Sequence, residues 1–410
     1  MNSSIIEDTS IVVVEGGSVD SPKGFKAGGF HCGLKRKRKD IGWIVSSKPA
    51  AAAGVFTVNS FQAPPLKVTQ ESLKNGHLQG VIVNSANANA FTGERGRNDA
   101  LAMRKQFAEV LDVSDTEVAV TSTGVIGEYL PMETIHEAIW QIPNYMPNST
   151  AKDFGEAILT TDTTTKEVAV QCEVDGEVVT IGGVAKGSGM IKPNMATMLG
   201  FITTDAIVNQ YELQQALHTV TDKTFNRITV DGDTSTNDMV LLMANGEVNH
   251  DPLTPSHPDY EAFCNGLEYV CVELAKMIAR DGEGATKLVE VEVSGARTEN
   301  SAAVMAKAVV GSSLVKTAIH GEDANWGRII CALGYSGESI REELLTIKLG
   351  PYVVVKDGRP TGCDDAELSA YLSEETIKIE IQLGNGEHCA LAWGCDLSYE
   401  YVRINASYRT

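Results

Sequence analysis

Hydrophobic and polar residues alternate in several short runs along the chain, and this pattern predicts β-strands. Some of the predicted strands alternate and others are almost wholly apolar; together they cover 79–84, 117–121, 166–174, 177–181, 228–230, 239–243, 288–293 and 377–383. The dipeptides Asp175-Gly176 and Asn385-Gly386 are typical of two-residue hairpin turns. Because hairpins join antiparallel strands, the sheets are expected to be mixed rather than purely parallel.

Longer segments carry apolar residues at every third or fourth position, which predicts amphipathic helices. Asn98 is expected to cap a helix that runs to Leu111, and Pro131 to open another that runs to Ile142. Further helices are predicted over 205–225, 258–280 and 301–319. Long helices placed between clusters of strands indicate an α/β fold built in layers.

The composition is that of an acidic, soluble globular protein. With 410 residues the chain is too long for one small core, and its mean hydropathy is -0.08. The net charge of -20 argues against nucleic acid and against an anionic membrane as partners. The basic run 35–39 is an exception, and it is interpreted as a solvated turn or a contact for an acidic ligand, without an assigned function.

Several classes of protein are disfavoured by missing patterns. The first residues lack the basic start and apolar stretch of a signal peptide, and no apolar run reaches the length of a membrane span. The eight cysteines form no Cys-x-x-Cys pair, which predicts reduced thiols in a cytoplasmic protein. Histidine spacing indicates no metal site, and no glycine-rich nucleotide loop of the common types is present.

The step from Ala196 to Thr197 is the strongest candidate for chemistry. It follows a glycine-rich turn near residue 187, and only a methyl group shields the carbonyl beside the threonine hydroxyl. If the backbone is strained, the hydroxyl can attack that carbonyl, and hydrolysis then makes Thr197 a new N-terminus. Its α-amine would titrate near pH 8 and could take the proton from Oγ1. An isolated Ala-Thr step would instead indicate a turn that enters a strand.

Eight separated segments carry a resemblance to a known family. They occur in the family's order, as residues 33–40, 83–90, 122–127, 160–163, 186–199, 281–287, 325–328 and 404–410. The chain resembles the glutamate N-acetyltransferase/ornithine acetyltransferase family of arginine biosynthesis. Ala86 and Ala324 depart from the family's pattern, where glycine and proline are expected, and neither departure is expected to touch the chemistry.

The resemblance implies an acetyltransferase that cuts itself between Ala196 and Thr197. It implies a layered α/β/β/α-type sandwich with mixed sheets, similar to N-terminal-nucleophile enzymes, with the nucleophile at the start of a central strand. Fragments 1–196 and 197–410 would fold as one intertwined unit and assemble as a heterotetramer of two alpha and two beta fragments. Acetyl would pass from N-acetylornithine to glutamate by a ping-pong mechanism without a cofactor, and acetyl-CoA stays open as a second donor.

The resemblance also assigns roles to residues of this chain. Thr197 is the expected nucleophile, and Thr123 with Gly124 the expected oxyanion hole. The amino-acid substrates are expected to contact Thr161, Lys186, Thr197, Glu283, Asn405 and Thr410. Lys186 would face the carboxylate and keep the new α-amine unprotonated, while Glu283 would bind the ammonium group. Thr160 is a rival for the role of Thr161.

Two other functions remain open from the residues alone. An N-terminal-threonine amidohydrolase or peptidase would use the same nucleophile and oxyanion hole but accept water. A catalytically silent binding or scaffold protein would keep the bond between Ala196 and Thr197 intact.

Overall fold

The computed structural model describes residues 11–192 and 198–407, and these residues form two mixed β-sheets with helices packed against them. The strands are β1 (Val12–Val13), β2 (Phe25–Phe30), β3 (Ile41–Phe56), β4 (His77–Asn87), β5 (Val118–Val125), β6 (Lys166–Val174), β7 (Glu177–Lys186), β8 (Leu199–Thr204), β9 (Ile228–Thr229), β10 (Met239–Ala244), β11 (Leu288–Ala296), β12 (Thr346–Leu349), β13 (Tyr352–Lys356), β14 (Arg359–Pro360), β15 (Thr376–Gln382) and β16 (His388–Cys395). The helices are α1 (Pro64–Leu73), α2 (Gly93–Leu111), α3 (Met132–Tyr145), α4 (Ala151–Ile158), α5 (Gln210–Lys223), α6 (Tyr260–Arg280), α7 (Glu299–Val310), α8 (Ser313–His320), α9 (Trp326–Gly334), α10 (Asp365–Leu372) and α11 (Tyr399–Ser407).

The first sheet has the strand order β1-β6-β7-β8-β10-β3-β4-β5, and β2 also pairs with β3. The pairs β8–β10 and β4–β5 are parallel, and the other pairs of this sheet are antiparallel. Strands β8 and β10 are buried along their whole length, which explains why β10 has a continuous apolar sequence rather than an alternating one. β8 begins two residues after Thr197 and lies between β7 and β10 in the middle of the sheet.

The second sheet has the order β14-β13-β12-β15-β11-β16-β9. Its pairs β11–β15 and β16–β9 are parallel, so this sheet is mixed as well. Helix α6 contacts β6 and β7 of the first sheet and β11 and β16 of the second, and it therefore joins the two sheets. Helices α1 to α4 pack on the first sheet, and α7 packs on β11 and β16.

The core explains why helix α6 lies where it does. The five apolar residues that the sequence places on one face of this helix, Phe263, Leu267, Val270, Leu274 and Ile278, are all completely buried. Each contributes on the order of 1.5–3 kcal/mol when it leaves water, which fixes the helix against the first sheet. The α/β class with two mixed sheets, predicted from the sequence, is confirmed.

Most predicted strands are present with shifts of a few residues, and 166–174 coincides with β6. The turn Asp175-Gly176 joins β6 and β7 with positive φ angles of 52° and 78°, the conformation that a type I′ hairpin requires. The predicted hairpin at Asn385-Gly386 is wrong. β15 and β16 do not pair with each other, because β11 lies between them in the sheet.

Three predicted helices differ in their bounds. α2 begins at Gly93, so Asn98 lies inside the helix rather than at its cap. α5 begins only at Gln210, where the side chain of Asn209 caps it. The segment 301–319 is divided between α7 and α8, because the chain breaks at residue 311 and Ser312 caps the second helix. Among the described residues no single helix has the length and apolar composition of a membrane span, and α7 with α8 meets those criteria only as a pair bent by 54°.

Candidate active site

One cavity of about 460 Å³ brings together residues that are far apart in the chain. Its wall contains six of the residues predicted for the site, namely Thr123, Gly124, Thr161, Lys186, Glu283 and Asn405. Met198 and Leu199, the two residues that follow Thr197, line the same cavity. Thr197 itself, Ala196 and Thr410 lie outside the described residues. A space of this size suits a small-molecule ligand.

Thr123 and Gly124 reach the cavity at the end of β5, where the strand runs parallel to β4. Gly124 has a φ of 129°, and a Cβ atom at this position would lie 2.1 Å from the carbonyl oxygen of Ala86. Only glycine fits there without displacing β4. Ala86 has a φ of 131°, a conformation that normally requires glycine. Its departure from the family's pattern therefore lies directly beside the predicted oxyanion pair.

Lys186 ends β7 and carries its ammonium group to the same wall. The Nζ atom donates a hydrogen bond to Thr160 Oγ1 at 2.8 Å and lies 3.5 Å from Thr123 Oγ1. The same Nζ atom lies 3.9 Å from Oδ2 of the neighbouring carboxylate, Asp162. Thr160 is thus bonded to Lys186, while both Thr160 and its neighbour Thr161 line the cavity. The geometry does not distinguish which of the two threonines contacts the substrate, so Thr161 stays a prediction with Thr160 as its rival.

Asp162 is the buried anchor behind Lys186. Its carboxylate accepts hydrogen bonds from the Gly187 backbone N–H at 2.6 Å and from Lys166 Nζ at 2.8 Å. Although burial raises the pKa of Asp162, the charges of Lys186 and Lys166 outweigh this and hold that pKa well below its usual range. Asp162 therefore stays ionised, and it fixes the backbone from which the Lys186 side chain extends.

Glu283 lies on a tight loop after α6 and is 7% exposed. Asn405 Nδ2 donates to its Oε2 atom at 2.7 Å, so helix α11 supplies part of this region. A Cβ atom on Gly189 would lie only 2.4 Å from the carboxylate carbon of Glu283. A Cβ atom on Gly284, which has a φ of 69°, would come similarly close to the backbone of Tyr401. The glycines let the loop approach both the 186–192 turn and α11.

The cavity carries charges of both signs. The ammonium group of Lys186 lies on one part of the wall, and the carboxylates of Glu283, Asp231 and Asp233 lie on others. A free amino acid carries a carboxylate and an ammonium group, so it matches this distribution of charge. The geometry supports the interpretation of Lys186 and Glu283 as substrate contacts.

The loop before β10 is a part of the site that the sequence analysis missed. Seven of the eight residues 231–238 line the cavity: Asp231, Asp233, Thr234, Ser235, Thr236, Asn237 and Asp238. Asn237 Nδ2 donates to the carbonyl oxygens of Ala88 at 2.6 Å and of Ser122 at 2.8 Å, which ties this loop to β5. The available signal was a run of acids, hydroxyls and amides, interrupted only by Gly232, between two predicted strands, since functional residues concentrate in such loops.

The basic run 35–39 forms hydrogen bonds to the backbone of residues 159–162, next to the cavity. Lys35 Nζ donates to the carbonyl oxygen of Leu159 at 2.5 Å, and Arg38 donates to those of Thr160 and Asp162 at 3.4 and 3.3 Å. Burial, aided by the charge of Lys186 and opposed by Asp40, lowers the pKa of Lys35 to about 8. The run therefore holds the loop between α4 and β6 that carries Thr160, which its interpretation as a solvated turn did not foresee.

One cluster of possible metal ligands is found among the described residues. Asp175, His257 and Asp259 have ligand atoms within 4.8 Å of one another, at the β6–β7 turn and the start of α6. Asp175 already accepts from the Asp251 backbone N–H, and Asp259 accepts from the Asp175 backbone N–H. These hydrogen bonds give the cluster a structural role in its loop, and it is not part of the cavity wall.

Comparisons with known proteins identify the family of this chain. The model of the ArgJ family matches residues 26–410. The chain is 57% identical over 401 residues to the arginine biosynthesis bifunctional protein ArgJ of Oceanobacillus iheyensis, covering 98% of both chains. It is 53% identical over 406 residues to the protein of the same name from Bacillus subtilis, covering 99% of both. A crystal structure of the ArgJ protein of Bacillus halodurans matches with 56% identity and a TM-score of 0.50, covering 51% of this chain and 98% of that one.

The family match covers nearly the whole chain, and relatives above 50% identity align at almost full length. Residues from the motifs also meet in one cavity. The chain belongs to the ArgJ family.

Proposed function

We propose that this protein transfers an acetyl group from N-acetylornithine to glutamate, after cutting its own chain between Ala196 and Thr197. The observation that carries the proposal is the shared cavity. It gathers the predicted oxyanion pair, a buried lysine, a carboxylate and the residues that directly follow Thr197. Membership of a family whose members are named for arginine biosynthesis favours transfer over the hydrolase alternative.

Self-cleavage begins with an acyl shift. The Thr197 Oγ1 atom forms a bond to the carbonyl carbon of Ala196, the peptide C–N bond breaks, and the hydroxyl proton ends on the new α-amine. Water then hydrolyses the ester, which releases the carboxylate of Ala196 and restores the hydroxyl of Thr197. The α-amine beside that hydroxyl serves as the base in the later reaction.

The fragments produced by this cut would stay together. The cut falls between β7 and β8, which are neighbours in the first sheet, and β10 of the second fragment pairs with β3 of the first. The Bacillus halodurans chain of known structure corresponds to 51% of this chain, as expected for a polypeptide of about half this length. A heterotetramer of two alpha and two beta fragments remains part of the proposal.

Acetyl transfer would then proceed in two half-reactions. Thr197 attacks the acetyl carbonyl of N-acetylornithine, and the backbone N–H of Gly124 with the hydroxyl of Thr123 stabilises the oxyanion. Ornithine leaves with the proton, and glutamate attacks the acetyl-threonine ester in the second step. Both substrates carry an α-carboxylate for Lys186, so they compete for one pocket and the kinetics should be ping-pong.

The experiment is mass spectrometry of the purified protein with and without substrates. The cut chain should give fragments of 196 and 214 residues, and N-acetylornithine alone should add one acetyl group to the second fragment. Glutamate should remove that group as N-acetylglutamate. Rapid loss of acetyl to water without glutamate would support the hydrolase, and an intact chain in fully active protein would refute the cut.

A Thr197→Ala variant tests the nucleophile directly. It should fold, remain uncut and have no activity, whereas Thr197→Ser should keep some of both functions. Acetyl-CoA in place of N-acetylornithine tests the second donor in the same assay. We further propose a cytoplasmic location, as for other enzymes that use free amino acids, and fractionation of cells with an antibody measures it.

A further inference from the structure

The chain that leads to the predicted cut is held by the stretch 229–234. The carbonyl oxygen of Ile191 accepts from the Val230 backbone N–H at 2.7 Å and from Thr229 Oγ1 at 3.1 Å. One residue later, the Lys192 carbonyl oxygen accepts from Thr234 Oγ1 at 2.9 Å. The last described residues before the cut are therefore bonded to a single loop.

The same stretch continues into β10 and holds the chain beyond the cut. The Met239 backbone N–H donates to the carbonyl oxygen of Met198 at 3.0 Å. Met239 then pairs with Leu199 at the first position of the parallel β8–β10 ladder. The two ends of the segment are thus bonded to residues only five positions apart, Thr234 and Met239.

Asp231 is at the centre of this arrangement. Its Oδ2 atom accepts from the Met190 backbone N–H at 2.6 Å, and its Oδ1 atom accepts from the Ile191 backbone N–H at 2.8 Å. Met190 has a φ of 58°, an unfavourable conformation for a residue with a side chain, so the two bonds hold a strained turn. Both carboxylate oxygens are used for the backbone of the approach to the cut.

A third backbone N–H group, that of Asp233, also donates to Asp231 Oδ1, at 3.2 Å. Asp231 lines the cavity together with Tyr401 of α11, the helix that also carries Asn405. Burial, together with the charges of Asp231 and Glu283, raises the pKa of Tyr401, so the phenol remains a donor at neutral pH.

We propose that Asp231 is a positioning residue for self-cleavage: it sets the backbone from which the hydroxyl of Thr197 and the carbonyl of Ala196 meet. This inference rests on the cut proposed above. An acyl shift needs the hydroxyl oxygen and the carbonyl carbon in a near-attack geometry, and an error of about 1 Å can cost about 10²-fold in rate. Two bonds to consecutive N–H groups fix the direction of the chain, which one bond cannot do.

The test is a pulse-chase experiment on the full-length chain made by cell-free translation, followed on denaturing gels. Asp231→Asn keeps the shape but presents an NH₂ group to one of the two backbone N–H donors, and cleavage should slow about 10²-fold. Asp364→Asn is the matched control, because it removes the same charge from a carboxylate that also accepts from two backbone N–H groups, those of Ala366 and Glu367, but that lies outside the cavity wall; it should be cut near the parental rate. Equal slowing in both variants would overturn the proposal, since lost charge would then explain the effect.

Hydroxylamine separates positioning from hydrolysis, because it cuts the ester that the acyl shift forms. It should not speed the slow cleavage of Asp231→Asn, since a poorly aligned chain accumulates no ester for it to cut. If hydroxylamine restores cleavage, Asp231 acts on ester hydrolysis and the proposal is overturned. An uncut parent chain would refute the cut itself, whereas a parent and an Asp231→Asn chain cut at equal rates refute only the role of Asp231.

Thr234→Val carries the test if Asp231→Asn does not fold cooperatively. It removes one hydrogen bond, to the Lys192 carbonyl, at a partly exposed position. Cleavage should slow about tenfold, the equivalent of about 1.4 kcal/mol for one lost hydrogen bond. A folded Thr234→Val chain that is cut at the parental rate would refute the proposal that the hydrogen bonds of this loop position the chain for the cut.

Discussion

Replacing Gly124 with alanine tests the predicted oxyanion hole through the backbone rather than through a side chain. The new Cβ atom would lie 2.1 Å from the carbonyl oxygen of Ala86 in the neighbouring strand. Non-bonded heavy atoms prefer a separation of about 3.5 Å, so the ends of β4 and β5 must separate by roughly 1 Å or more. The atoms that move include the N–H group assigned to the oxyanion.

The size of the effect follows from that displacement. A shift of about 1 Å at a reacting group costs about 10²-fold in rate, which is also the lower end of the loss of one oxyanion donor. We therefore expect kcat to fall about 10²-fold, with a smaller change in KM because Lys186 and Glu283 are untouched. The crowding should also lower the free energy of unfolding by about 1–3 kcal/mol.

Gly127→Ala is the matched control, three residues further along the same turn. Gly127 has a φ of 83°, but a Cβ atom there would meet nothing within 4 Å. It isolates the cost of a positive φ, about 1–2 kcal/mol of stability, without the collision. Steady-state kinetics with N-acetylornithine and glutamate, on protein whose cleavage is confirmed by gel, decide the matter. A Gly124→Ala enzyme with the kcat of the Gly127→Ala enzyme would refute the reasoning.

Three further predictions concern the surroundings of the cavity. Asp162→Asn should lower the free energy of unfolding at pH 7 by about 3–5 kcal/mol in urea denaturation, because Lys186 loses its neighbouring carboxylate and the buried Lys166 keeps only Asp281. Since the folded pKa of Asp162 is depressed, its contribution is present above its unfolded pKa of about 3.9 and is lost as the pH falls below that value; the difference between parent and variant should therefore shrink near pH 3. Gly189→Ala should displace the Glu283 carboxylate and raise KM about tenfold in steady-state assays, equivalent to one charge-assisted hydrogen bond of about 1.5 kcal/mol, with little change in Tm. Ala86→Gly should relieve the strain at a φ of 131° and stabilise the protein by about 1 kcal/mol in thermal unfolding; a decrease in Tm would show that this backbone is not strained.

The elements that the sequence predicted best are those whose apolar pattern reports burial directly. β6 alternates and coincides with its predicted range, and α6 begins within two residues of its prediction. Turn residues were less informative, because Asn385-Gly386 shows where the chain bends and not which strands pair. The partner of β16 in the sheet is β11, about a hundred residues earlier, and no local pattern contains that information.

The candidate site was predicted in part for the same physical reason. Thr123, Lys186 and Glu283, which all line one cavity, could be named in advance because each belongs to a motif. A motif identifies residue types, but it does not give the distances between them. Asp231 was missed because its role depends on the chain at 190–191, which it meets only after folding. Asp162 lies within one of the motifs, but its burial between two lysines was not evident from the residues around it in the sequence.

The order of strands also bears on when the proposed cut would occur. The cavity needs Thr123 and Lys186 from the first fragment and the 231–238 loop and Glu283 from the second. β8 and β10 lie between β7 and β3, so the second fragment contributes two strands to the interior of a sheet that the first fragment begins and ends. A chain cut before folding would have to insert those strands by bimolecular association. A chain that folds first closes the sheet within one molecule and needs only a local bond change afterwards. The strand order therefore favours a cut that follows folding, which is what a cut performed by the folded protein on itself requires.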